Sequence, residues 1–241
     1  MSKQRHAPSL VLERICRSRS KKPVNVVGID EVGTGAFAGP IVVGAVAFED
    51  DETKLPTNVR DSKVFADHEA RMKLYDPILK AALMVGIGIA TPDEIDEWGS
   101  KKAREVAIIR AFKDAKKRYS GPRVVAVVDG RNLKKMRKKL GGSCAVFADR
   151  ADQKSYSVAA ASVIAKVTRD SIMKKCAVVY PEYGFETNVG YGTDQHITAL
   201  KKYRTCKIHR KSVKPIKRML EEWAREDEKS ERKSKKAQES E

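Results

Sequence analysis

Cysteine is scarce in this 241-residue sequence: Cys16, Cys144, Cys176 and Cys206 are the whole set, and no two stand at CxxC spacing. That excludes a vicinal redox pair, and no histidine completes a zinc pattern. Cys144 and Cys176 lie in apolar runs and read as core filling. Nothing here calls for an oxidising compartment. Long hydrophobic runs are also missing. No stretch approaches the roughly 20 apolar residues that span a bilayer. The opening MSKQRHAPSL is basic at its start but has no apolar run behind it, so no signal peptide is expected. There is no internal repeat. The expectation is a soluble, cytoplasmic protein with no membrane contact.

Acidic charge is in short supply against basic: 49 Lys and Arg face 32 Asp and Glu, a net +17. The segment 221–241 holds eight acids and six bases, so the rest of the chain carries +19. A body this basic points to a polyanion, and nucleic acid leads because phosphate contacts dominate such binding. Solubility alone is the competing explanation. Hydrophobic residues make up 41% and charged residues 34%, enough for one packed domain under a heavily charged surface.

The order of elements can be read from pattern. Residues 1–23 are polar and basic, with a short apolar patch at 10–12. Residues 24–30 and 41–48 are β-branched runs joined by a turn rich in glycine, which suggests an antiparallel pair. Residues 67–82 have helical spacing, and 83–90 form a third strand candidate. Thr91, Pro92 and Glu94 mark a helix start, and a longer helix fits 101–119. The apolar run 124–128 ends in Asp129-Gly130 and reads as a buried strand. Residues 145–148 make a shorter strand, and Asp152 opens a long helix rich in small residues. Further helices are expected at about 193–203 and from 215 to about 224, followed by a frayed charged tail. The basic run 134–139 reads as a solvated helix face that adds non-specific attraction. The sum is an α/β fold: a mixed sheet flanked by helices, with a C-terminal helical extension. Its expected parts are a basic N-terminal extension at 1–23, an α/β domain at 24–217, and a C-terminal helix and charged tail at 218–241.

Four acids stand out by position. Asp30 and Glu31 sit where an apolar strand meets the glycine turn, Asp129 ends another apolar strand, and Asp152 starts a helix. Catalytic groups of sheet proteins gather at strand ends. Converging carboxylates repel one another unless cations neutralise them, and their hard oxygens suit Mg²⁺ or Mn²⁺. Two such ions about 4 Å apart form the clamp used in phosphodiester cleavage. Each acid also has a plainer reading. Asp129 fits a turn, Asp152 fits a helix cap, and Asp30-Glu31 fits a polar turn pair. Spacing alone does not decide between them.

Ordered motifs over most of the chain carry a resemblance. Gly28-Ile29-Asp30-Glu31-Val32-Gly33-Thr34-Gly35-Ala36-Phe37-Ala38-Gly39-Pro40 resembles the opening signature of type 2 ribonucleases H. Asp61-Ser62-Lys63 is similar to that family's DSK element, and Val127-Val128-Asp129-Gly130 to its third acidic site. Asp152-Gln153-Lys154-Ser155 and the stretch to Asp170 are similar to its fourth acid and following helix. Gly190-Tyr191-Gly192-Thr193 with His196, then His209-Arg210-Lys211-Ser212, match later elements. The resemblance spans about residues 24–217. It implies a ribonuclease H-like fold, with Asp30, Glu31, Asp129 and Asp152 as catalytic acids holding two divalent ions, Mg²⁺ or Mn²⁺. It implies that Gly33, Thr34, Gly35 and Tyr191 read the RNA–DNA junction, with Lys63 and Lys166 near phosphates. His196 and His209 fit a packed or capping role better than proton transfer. The implied partners are an RNA–DNA hybrid and duplex DNA containing ribonucleotides, cut on the 5′ side of the ribonucleotide.

The turn departs from the usual HII pattern. That branch resembles Gly-Arg-Gly here, whereas this chain has Gly33-Thr34-Gly35, as in the HIII branch, and threonine does not replace arginine as a phosphate ligand. Two specificities therefore stay open: cleavage that includes single embedded ribonucleotides, or HIII-like cleavage of long hybrids only. A non-catalytic nucleic-acid-binding module and a DNA-cutting enzyme of the same broad fold are the more distant alternatives.

Overall fold

The computed structural model describes residues 7–57, 59, 68–142 and 145–238. The Asp61-Ser62-Lys63 element, with the predicted phosphate contact Lys63, and Cys144 lie outside the described residues.

Helix α1 (Val11–Ser18) precedes the hairpin β1 (Val24–Val32) and β2 (Ile41–Ala47). Helix α2 (His68–Ala81) leads to β3 (Met84–Ala90), which pairs antiparallel with β2. Helix α3 (Pro92–Lys116) returns the chain to β4 (Arg123–Asp129), parallel to β1, and β5 (Val146–Ala148) adds a parallel edge. The sheet order is β3-β2-β1-β4-β5. Four helices follow: α4 (Tyr156–Val179), the single turn α5 (Phe185–Asn188), α6 (Asp194–Tyr203) and α7 (Lys214–Gln238). The mixed sheet and its helical C-terminal region match the expected class. Among the described residues no helix is long and apolar enough to cross a membrane.

Alternation along the strands decides which helix each residue meets. Val27 and Ile29 of β1, with Ala126 and Val128 of β4, pack under α3 in the main core. Val24 and Val26, with Val125 and Val127, face the other side against Cys16 of α1 and Val158 of α4. On that side α4 lies almost on the sheet. A methyl group on Gly28 would come within 2.2 Å of the Ser157 carbonyl carbon, and one on Gly44 within 2.3 Å of the Ala161 oxygen. Small residues on both surfaces are what allow this approach, and they set the height of the helix above β1.

Four elements differ from the pattern-based expectation. Helix α1 forms within the expected polar extension and buries Glu13 and Cys16. The Thr91 cap and the helix expected at 101–119 form one element, α3, with Thr91 and Glu94 in a reciprocal capping box and a break at Gly99. Asp152 does not start α4. It lies in a short 3-10 turn, Ala151–Gln153, and Ser155 caps the helix by accepting from Val158 N. The cause is a bridge between Ser9 and Ser155, in which Tyr156 N donates to Ser9 O at 3.0 Å and draws the chain out before the helix begins. Helix α7 runs through the expected tail. The Arg204 fork on Asp227 and the packing of Trp223 anchor it, and Glu228–Arg232 and Glu231–Lys235 stand at the i,i+4 spacing that supports an exposed helix.

Candidate active site

The carboxyl ends of β1 and β4 lie side by side, with Ile29 paired to Val128. Asp30 and Asp129 follow at matched positions. Asp30 falls on the side of Gly28, towards α4. It is 5% exposed and takes a hydrogen bond from Ser162 of that helix. Glu31, one residue on, points to the opposite side and pairs with Arg104 of α3 at 2.6 Å. Arg104 also donates to the Asp129 carbonyl at 3.4 Å, which ties the two strand ends together. The Asp129 carboxylate accepts from Ala151 N at 2.8 Å. That bond holds the turn carrying Asp152, itself 3% exposed. The four acids named from the sequence are thus gathered at one end of the sheet.

Their mutual field shows in Asp30. Its carboxyl is held well above the usual aspartate range, first by burial and then by the charge of Glu31, with smaller contributions from Asp129 and Asp152; the Ser162 hydrogen bond pulls the other way. A buried carboxyl opposed by three like charges is short of positive charge. Among the described residues no three acids, cysteines or histidines are drawn together tightly enough to form a ready cage for a metal ion. The donor set is nevertheless all carboxylate oxygen, which fits a hard divalent cation that brings its own water ligands.

The glycine turn borders this cluster. Gly33 is buried with φ +88°, a left-handed conformation suited to glycine, while Thr34 and Gly35 are exposed. Two buried arginines support the turn from beneath. Arg210 donates to the carbonyls of Gly39 (2.8 Å) and Thr34 (3.4 Å). Arg169 donates to those of Pro40 (3.0 Å), Ala38 (3.1 Å) and Val189 (2.8 Å). Burial lowers the pKa of both guanidinium groups, that of Arg210 to about 9. Tyr191 lies over Arg169, and Phe37 N and Ala38 N both donate to Gly190 O, so the turn and the tyrosine loop form one unit. Lys166 is bound to Asp170 at 2.7 Å. His196 and His209 are buried and hydrogen-bonded to each other at 2.9 Å, behind Tyr191 rather than at the acids.

Sequence reasoning missed Arg104, Ser162, Arg169 and Arg210 as working residues. The last two were visible as members of matched motifs. Ser162 lies in the same matched stretch as Arg169, but its partner does not show there. Arg104 carries no local signal, because the alternation of β1 has to be combined with the position of a distant helix before it appears.

Comparison with known proteins shows the family and the fold. Residues 27–216 match the family model described as Ribonuclease HII. A ribonuclease HII from Fusobacterium nucleatum is 42% identical over 188 residues, covering 78% of this chain and 84% of the relative. Among solved structures, ribonuclease H2 from Pyrococcus horikoshii OT3 superposes with a TM-score of 0.67 at 25% identity, over 83% of this chain and 99% of that one. Bst-RNase HIII in complex with Mn²⁺ superposes at 0.60 with 19% identity, over 83% and 67% of the two chains, a likeness of fold alone.

Proposed function

This chain belongs to the ribonuclease HII family and is a ribonuclease H acting on RNA–DNA hybrids, and from that premise we propose that it hydrolyses both the RNA strand of hybrids and the 5′ side of ribonucleotides embedded in DNA, at a site built on Asp30, Glu31, Asp129 and Asp152. The products are a 3′-hydroxyl and a 5′-phosphate. The observation that carries this reading is the buried Asp30 carboxyl pressed by three acidic neighbours, a cluster that becomes stable when divalent cations enter it. We propose two ions, Mg²⁺ or Mn²⁺, which when bound activate a water and steady the leaving oxygen.

The chain's own residues do the positioning. Ala151 N fixes one oxygen of Asp129, Ser162 orients Asp30, and Arg104 offsets the charge of Glu31. Thr34 and Gly35 expose backbone where a 2′-hydroxyl can approach closely, and that hydroxyl separates RNA from DNA. Tyr191 offers a ring for stacking on the sugar or base at the junction. Lys166, one-fifth exposed beside Asp170, and Lys63 are proposed phosphate contacts. A nucleic-acid substrate suits a cytoplasmic location.

Thr34 supports a second reading, HIII-like cutting of long hybrids alone. One experiment separates the two: cleavage of a continuous hybrid beside a DNA duplex with one ribonucleotide, in Mg²⁺, Mn²⁺ or chelator. Cutting of both, abolished by chelator, is the expected result. Cutting of the hybrid alone moves specificity to the HIII type with Thr34 responsible. Asp129→Asn with full activity removes Asp129 from the site, and cutting in chelator removes the cations.

A further inference from the structure

The end of the sheet remote from the acids carries an unassigned basic face. Strands β1, β3 and β4 all start there, because β1 and β4 are parallel and β3 is antiparallel to β2, which is itself antiparallel to β1. Three segments meet at this pole. Residues 19–23 lead into β1, residues 113–123 join the end of α3 to β4, and residues 138–142 close the 3-10 helix Arg131–Leu140. Together they hold ten Lys and Arg and a single acid, Asp114, whose carboxylate already accepts from Ile87 N at 3.0 Å.

These cations line clefts. Lys113, Lys116, Lys117 and Lys139 surround a cleft of about 510 Å³ floored by Ile109 and Phe112, and Lys116 Nζ lies 5.5 Å from the centre of the Phe112 ring. Arg19, Lys21, Lys22 and Arg123 line a second cleft of about 660 Å³. The two adjoin, since Arg123 donates to Gly141 O at 2.8 Å, two residues beyond Lys139. Side chains crowded with like charge repel one another, and a polyanion relieves that repulsion.

This face cannot serve the duplex held at the acids. The run from Arg123 to Asp129 spans about 20 Å of strand, and a duplex with a persistence length of about 150 base pairs does not bend around a body of this size. The geometry points to a second nucleic-acid-binding surface, one that grips the phosphate backbone of another duplex while the substrate occupies the catalytic end. Phosphate contacts of this kind carry no sequence preference. The protein thereby bridges two duplex segments, and its binding to the second is governed by salt.

The test is a bridging assay with the whole protein in chelator, which prevents cutting. An RNA–DNA hybrid is fixed to beads, protein is added, and capture of a labelled DNA duplex of about 20 base pairs, short against the persistence length, is read. Capture is expected only when protein is present, falling roughly 100-fold between 50 and 200 mM salt, the loss about four phosphate contacts produce. The variant K113Q/K116Q/K117Q/K139Q should lose capture at least about tenfold yet cut the hybrid at the wild-type rate when divalent cations are restored, which shows that it folds. K21Q/K22Q in the adjoining cleft should weaken capture as well. K229Q/R232Q/K233Q/K235Q, the same change of charge on exposed α7, should not. Equal capture by the first variant and wild type overturns the proposal, as does equal loss in the α7 control. So does absence of capture by wild type, or capture of phosphatidylserine vesicles in place of the duplex.

Discussion

The guanidinium carbon of Arg169 lies 5.3 Å from the centre of the Tyr191 ring, so one buried side chain supports both elements assigned to reading the RNA–DNA junction. Its three guanidinium nitrogens each donate to one carbonyl, of Pro40, Val189 and Ala38, and a planar fork is needed to serve three carbonyls at once. Arg169→Lys keeps the charge but not the fork. The variant is expected to fold with a lowered Tm and to lose about tenfold in kcat/KM, the equivalent of one charge-assisted hydrogen bond. KM should carry most of the change, because the reacting acids are untouched. Steady-state kinetics on a single-ribonucleotide duplex and on a continuous hybrid read this directly. An unchanged KM on both would show that Arg169 serves the fold alone.

Helix α1 holds the end of α4 that stands next to Asp152. The fully buried Glu13 accepts from Ser155 Oγ at 2.6 Å and from Ser157 N at 2.9 Å. Glu13→Ala removes an acceptor that two donors share and leaves both without it. The expected cost is about 2–4 kcal/mol, which in a protein of this length lowers Tm by roughly 4–16 °C. Glu13→Gln keeps one acceptor oxygen and should recover more than half of the loss. Thermal unfolding of the two variants tests this, and equal Tm values for wild type and Glu13→Ala would exclude Glu13 as a clamp.

How far the site was legible follows from how local each signal is. Asp30 and Glu31 could be found because an apolar β-branched run stops at them, and Thr91 because its capping box lies within four residues. That Asp30 and Glu31 face opposite helices was already implicit in strand alternation. The partners on those helices, Ser162 and Arg104, were not, since nothing near either residue specifies what it meets across the sheet. Glu13 lies before the stretch that matches the family, in a segment whose composition reads as a polar extension. Its role comes from contacts more than 140 residues away in sequence. Asp152 shows the same limit in reverse: its helical surroundings suggested a cap, and only the Ser9–Ser155 bridge moves the cap to Ser155.

Gly35 offers a clean separation of substrate contact from folding. A methyl group placed there meets nothing within 4 Å, and the residue is exposed. Gly35→Ala is therefore expected to leave stability within about 0.5 kcal/mol of wild type. If the backbone at this turn must approach a 2′-hydroxyl, the added methyl lies in the way, and cleavage of both substrates should fall about tenfold or more, the worth of one contact of about 1.4 kcal/mol. Gly44→Ala is the counterpart. There the methyl collides with the Ala161 carbonyl, and the expected result is a loss of about 1–3 kcal/mol in stability. Denaturant unfolding beside activity distinguishes the two, and wild-type cleavage by Gly35→Ala would move recognition away from this turn.

The paired histidines make stability depend on pH. His196 Nδ1 lies 2.9 Å from the Tyr191 carbonyl, which can only accept, so that nitrogen carries the proton and His196 Nε2 is the acceptor for His209 Nε2–H. His209 Nδ1 in turn accepts from Cys206 N. Both rings are thus neutral, and a proton added to either sets N–H against N–H or against a backbone donor. Burial, with the neighbouring His196, pushes the pKa of His209 down to about 4, and burial lowers that of His196. A histidine depressed on folding is protonated first in the unfolded chain. Its contribution is therefore complete above about pH 6.5 and is lost as pH falls towards 4, by at most about 3 kcal/mol for His209. Asp30, raised on folding, acts in the opposite sense, so the informative quantity is a difference. The stability of wild type should fall more steeply than that of His209→Gln between pH 6.5 and 4.5 in urea unfolding. Parallel curves would mean that the pKa of His209 is not lowered on folding.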